Sequence, residues 1–216
     1  MANAAAQPPT RRVPIGNTEE RYGAVAVGLH WMMAALLVSL LALGLYMVRL
    51  PDAGFDTLKI WLILYHKSLG MLALALAALR LGWRVTNALP RLVENLPDWQ
   101  KVVARFVHLT FYALMFALPI SGWLMSSASG FPVSFLGLFD LPDLIRRDDY
   151  LFQVFVTVHK CLAYALVALL VVHAGAALRH HFFFEDDTLR RMLLGPSHPN
   201  SSAPKRPRHV PVVPSA

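Results

Sequence analysis

Five histidines, His30, His66, His108, His159 and His173, lie in stretches that are otherwise almost wholly apolar. Burying an ionisable ring in such a setting is costly, and one alone would be accounted for by a hydrogen bond between helices. Five together point to chemistry, because the neutral imidazole is both a metal ligand and a proton carrier. His159 and His173 share one stretch, while the other three occupy one stretch each. On an α-helix the step from 159 to 173 is roughly 21 Å of rise, and at about 100° per residue it falls only ~40° short of four turns. Both rings therefore leave nearly the same face of one helix at two heights. The single cysteine, Cys161, rules out an internal disulfide, a zinc ribbon and a four-thiolate iron–sulfur centre, and reads as a small packing residue.

The elements that must position these rings follow from composition. The chain is 56% hydrophobic and 15% charged, against about 25% charged in an average soluble domain. Its apolar residues gather into four blocks, Ala24–Val48, Ile60–Trp83, Val102–Ala128 and Leu151–Leu178. Each reaches the ~20 residues that a helix needs to cross a bilayer core. Lipid cannot satisfy backbone hydrogen bonds, and the blocks are far too long for barrel strands. The expected fold is an all-α integral membrane protein, a bundle of four transmembrane helices. The first block is too long, and too far from the start, for a cleaved signal, and reads as a retained span.

Lysine and arginine are unequally shared between the two sides. Arg11, Arg12, Arg21, Arg80, Arg84, Arg91, Lys101, Arg105, Arg179, Arg190, Arg191, Lys205, Arg206 and Arg208 fall on one side, and only Arg49, Lys59, Lys67, Arg146, Arg147 and Lys160 on the other. The positive-inside rule then places both termini in the cytoplasm. This topology accounts for most of the +7 net charge, so no nucleic-acid partner is expected; a basic tail on anionic lipid suffices. Residues 1–20 and the Pro-rich stretch 196–216 are expected to be disordered tails around one domain, 21–195. Residues 185–194 suit a short surface helix, with acids first and Arg190 and Arg191 after them. Of the two external loops, the longer, 129–150, carries Phe131, Pro132, Phe135 and Phe139 and is expected to cap the bundle mouth.

With the N-terminus inside, His30 and His173 share an inner level, while His66 and His159 share an outer one. His108 also belongs to the inner level and competes with His30 for pairing with His173, a choice that spacing leaves open. Zinc needs about four close ligands, and two per level leave that incomplete. Haem iron lacks only two axial ligands, so paired imidazoles at two levels match two b-type haems stacked across the membrane. The absence of CxxCH excludes covalent c-type attachment. Ala34, Gly70, Ala163 and Ala177 follow the four paired histidines by one turn and leave clearance for a flat ring, although small residues also serve helix packing. Arg80, about four helical turns after His66, reaches the inner level and is placed to pair with a haem propionate, as positive-inside topology would equally place it. Lys67 and Lys160 directly follow the outer histidines, where they can snorkel outward, neutralise propionates or attract an anion. His180 and His181 end the fourth helix, where its dipole favours cations.

Several segments, RYGAVAVGLHWMMAALL, HKSLGMLALALAALRLGWR, ALPISGWLMSS and HKCLAYALVALLVVHAGAALRHHFFFEDDTLRRML, resemble the bacterial cytochrome b561 family, which is related to the cytochrome b subunits of nickel hydrogenases and formate dehydrogenases. The resemblance covers about residues 20–195. It implies a four-helix bundle in which His30, His66, His159 and His173 ligate two haems b, with His108 a neighbour. It also implies a multi-pass protein of the bacterial inner membrane that oxidises periplasmic superoxide and reduces ubiquinone, the electron passing from the outer haem to the inner one. Charge adds little to this, because the six external cations are balanced by Asp52, Asp56, Asp140, Asp143, Asp148 and Asp149, leaving Lys67 and Lys160 as the local attraction for an anion. The alternative is a cytochrome b subunit passing electrons between quinone and a periplasmic dehydrogenase or soluble cytochrome, which the acidic loops would dock. A haem-binding sensor or assembly factor is a third class.

Overall fold

A computed structural model describes residues 14–19, 21–51, 57–90, 97–184 and 188–193. Four long helices dominate it: α1 (Ala24–Met47), α2 (Thr57–Thr86), α3 (Asp98–Ser129) and α4 (Asp149–Phe182). All four are long and apolar enough to cross a membrane. The chain is thus an all-α, four-span bundle. The last three run several residues past their apolar blocks, because polar residues continue a helix into the headgroup region as readily as apolar ones. Trp31, Val38, Trp61, Leu79, Phe106 and Val171 are exposed, as expected of helices whose outer faces meet lipid rather than water.

Packing is uneven. α1 lies along α2, α2 along α3 and α3 along α4, whereas the α4 backbone stands off from α1 and α2 over the described residues. The core is a mid-height layer of Met33, Leu37, Ala77, Leu114, Met115, Leu118 and Leu166. Leu166, 1% exposed, is the residue that α4 buries fully. Cys161 is exposed on α4 and does not pack inside the bundle.

An even number of spans returns the chain to the side on which it began. Trp31 Nε1 donates to the Met192 carbonyl at 2.7 Å, tying the C-terminal segment to the start of α1. We call this side the terminal face and the other the hairpin face. Of the surface helix expected over 185–194, residues 185–187 and 194 lie outside the described residues, and the described part forms one 3₁₀ turn, Arg190–Met192. A segment this short cannot recover the cost of helix nucleation unaided. Residues 14–19 are ordered against α1. The Pro14 carbonyl accepts from Ala24 N–H at 2.9 Å, and Asn17 Oδ1 accepts from Gly23 N–H at 2.9 Å. These bonds give partners to donors at a helix start. Of the tails expected to be disordered, 1–13, 20 and 196–216 lie outside the described residues.

On the hairpin face, β1 (Ser134–Phe135) and β2 (Phe139–Asp140) pair antiparallel. Leu136 and Gly137 both have positive φ (53° and 72°) and Leu138 N–H bonds the Phe135 carbonyl, the primed turn that suits a tight hairpin. Ser68 of α2 secures it, donating to the Ser134 carbonyl at 2.8 Å and accepting from Leu136 N–H at 3.1 Å. Trp123 Nε1 donates to the Pro142 carbonyl at 3.1 Å. The loop therefore folds back onto α2 and α3. α4 then begins at Asp148, whose carboxylate accepts from Leu151 N–H at 2.9 Å, a side-chain N-cap.

Candidate haem-binding site

Each helix contributes to two levels and to the layer between them, at positions spaced about two turns apart. The sets are His30, Leu37 and Gly44 on α1; His66, Ala73 and Arg80 on α2; His108, Met115 and Gly122 on α3; and His159, Leu166 and His173 on α4. A step such as that from His30 to Leu37 falls only slightly short of two full turns, so each set lines one stripe of its helix. The four middle members are buried. The outer members come together in two groups, one toward each face.

Toward the hairpin face, the His66 and His159 ring centres are 6.2 Å apart and inclined at 77°. Toward the terminal face, His30 and His173 are 6.4 Å apart at 59°. The latter ring also meets His108 at 5.8 Å and Phe111 at 5.1 Å. A metal held between two imidazole nitrogens at ~2.0–2.1 Å on each side puts the ring centres roughly 6 Å apart. Both pairs meet that spacing, and both span the gap where α4 stands off from α1 and α2.

The donor chemistry fits haem. Among the described residues no group of three His, Cys, Asp or Glu could hold a bare metal ion. Imidazoles meeting in facing pairs suit iron that brings its own equatorial nitrogens. His66 Nδ1 is buried without a hydrogen-bond partner, an arrangement that needs a compensating interaction at this ring. A Cβ added at Gly70 would meet nothing within 4 Å, so there is room one turn beyond His66.

Neighbouring groups fix the rings. His159 Nδ1 lies 2.9 Å from Ser121 Oγ and 3.1 Å from the Leu118 carbonyl. On the terminal side, Arg80 Nη2 lies 3.0 Å from His30 Nδ1. Arg80 and Arg84 both sit over the Tyr112 ring, at 5.9 and 5.5 Å. Of the remaining sequence-derived candidates, Lys67 Nζ donates to the Phe131 carbonyl at 3.3 Å and Lys160 is exposed on α4. The geometry thus groups His30, Arg80, His108 and His173, and separately His66 and His159, with the lysines directed away from the rings.

Sequence reasoning passed over Gly44, Gly122, Ser121 and Leu118. A Cβ at Gly44 would come within 3.4 Å of His66 Cε1, and one at Gly122 within 3.3 Å of His159 Cε1. Gly44 follows His30, and Gly122 follows His108, by about four helical turns. The same interval singles out His159 and His173, so the signal was present.

Residues 21–195 match the family model described as prokaryotic cytochrome b561. Cytochrome b561 homolog 2 of Escherichia coli (strain K12) is 38% identical over 179 residues, covering 82% of this chain and 93% of that protein. Cytochrome b561 homolog 1 of the same organism is 30% identical over 128 residues, 59% of this chain and 72% of its own length.

Proposed function

The chain belongs to the prokaryotic cytochrome b561 family, haem-b electron carriers of bacterial membranes, and from that premise we propose that it oxidises superoxide at the hairpin face and reduces ubiquinone. In this reading the hairpin face is periplasmic and both termini are cytoplasmic. His66 and His159 hold one haem b, His30 and His173 hold the other, and His108, exposed beside His173, is a neighbour. One observation carries the reading: two facing imidazole pairs, one toward each side of a membrane bundle, share the face of α4.

When bound, the haems supply two one-electron carriers between the faces. The buried layer of Leu37, Ala73, Met115 and Leu166 keeps water from the space between them. Arg80 is placed to neutralise a propionate. Two superoxide anions each lose one electron and leave as dioxygen; ubiquinone takes the two electrons and two protons and becomes ubiquinol. Haems held by two histidines each would take the electron from superoxide without binding it. Lys160, beside His159 and exposed, is the local cation that attracts the anion.

One observation favours a second reading. Asp140, Asp143, Asp148 and Asp149 are all exposed on the hairpin face, and such a patch suits docking of a basic electron-donor protein. Pulse-generated superoxide separates the two. Purified protein with bound haem and ubiquinone should be reduced far faster than a buffer control and then reoxidised by the quinone. Reduction no faster than the control would move the assignment to a quinone-linked cytochrome b subunit.

A further inference from the structure

We infer that the cleft between α2 and α3 beneath the hairpin seats one phospholipid with an amine headgroup. Its phosphate rests on Lys67, its ammonium on Asp143, and an acyl chain lies against Ala75, Ala78 and Phe116. The cleft has a volume of about 340 Å³. Met71, Ala75 and Ala78 of α2 and Phe116 of α3 wall it, and Phe135 and Phe139 of the hairpin roof it, their rings 5.5 Å apart. The two alanines leave the space open. Every side chain lining it is apolar, so water there would find no polar partners.

The place of the cleft on α2 selects its occupant. At about 100° per residue, Met71, Ala75 and Ala78 leave the helix on the side roughly opposite His66, Ala73 and Arg80. The cleft therefore opens toward the bilayer, and a redox-active ring lying in it would have α2 between itself and the imidazoles. Leu138 and Phe139, both exposed, continue the apolar surface at its rim, as suits a face that meets lipid chains. Lys67 lies one turn before Met71 on the same stripe. The cleft thus runs away from a cation, with about 16 Å of rise between Lys67 and Ala78.

The charges at the mouth select the headgroup. Lys67 Nζ donates to the Phe131 carbonyl at 3.3 Å, and an ammonium carries three donors, so donors remain for a phosphate oxygen in a charge-assisted bond. Asp143 follows the lining residue Leu141 by two positions and is exposed. Its carboxylate is close enough to act on the Lys67 charge. A cation and an anion side by side match the adjoining phosphate and ammonium of an amine headgroup. A headgroup with negative charge alone would meet repulsion from Asp143.

The test is native mass spectrometry of the haem-loaded chain, delipidated and then exposed to micelles holding equal amounts of phosphatidylethanolamine, phosphatidylglycerol and ubiquinone. One phosphatidylethanolamine per chain should be retained, several-fold over phosphatidylglycerol. Ala78→Phe fills the cleft and should abolish that retention with the haem-to-protein ratio unchanged, and Ala75→Leu, a smaller intrusion, should weaken it. Lys67→Gln should reduce phosphatidylethanolamine retention several-fold, whereas Asp143→Asn should let phosphatidylglycerol bind as well. Equal retention of the two phospholipids by the wild type, ubiquinone in their place, or a bound lipid indifferent to Ala78→Phe would overturn the inference.

Discussion

Two glycines decide how His66 and His159 can stand. A methyl group at Gly122 would press on the His159 ring, and one at Gly44 would already touch the His66 ring, leaving no room for anything larger. Gly122→Val should therefore displace His159 and cost the haem of that level, while the pair of His30 and His173, toward the opposite face, keeps its own. Haem quantification on the purified variant checks this, with an unchanged haem-to-protein ratio as the opposing result. The four paired histidines were legible because helical arithmetic converts the step from 159 to 173 into one face and two heights. Ser121 and the Leu118 carbonyl were not legible, since a serine in an apolar helix is equally a residue bonding its own backbone, as Ser121 also does. His108 was left undecided for a physical reason that persists in three dimensions: His173 faces it and His30 at similar range.

Among the elements, α4 has an unusual task. It closes the bundle through α3 and, at mid-height, through Leu166, while leaving room above and below. Leu166→Ala should destabilise the protein by about 2–5 kcal/mol through the cavity it leaves, seen as a lower midpoint for thermal loss of the haem spectrum with haem content unchanged at low temperature. One hydroxyl, that of Ser68, ties the hairpin to α2. Ser68→Ala removes a bond each from Leu136 N–H and the Ser134 carbonyl, a loss of about 0.5–1.5 kcal/mol per bond at this part-buried site. Faster amide exchange confined to residues 134–140 is the expected signature, and exchange unaltered there would show that the hairpin is held by other contacts. The spans were readable from apolar length alone. The hairpin was not, because its turn places Leu136 at positive φ, a conformation that leucine rarely adopts and no pattern announces.

For the molecule as a whole, an even number of spans and the bond from Trp31 to Met192 put the start of α1 and the Arg190–Met192 turn on one side, the side that the proposed orientation places in the cytoplasm on the excess of Lys and Arg. A membrane-impermeant thiol reagent applied to intact cells should label Asp143→Cys in a Cys161→Ser background, and no labelling without permeabilisation would invert the orientation. The two-level plan was visible in sequence because depth in a membrane is a one-dimensional coordinate that residue number nearly supplies. The lateral arrangement was not, since which helices touch and which stand apart depends on packing in the plane. The most direct measurement is the haem-to-protein ratio with the optical spectrum of the wild type and of His159→Ala. Two low-spin haems b per chain, falling to one in the variant, are predicted. A ratio of one in the wild type, or an undiminished ratio in His159→Ala, would contradict the account.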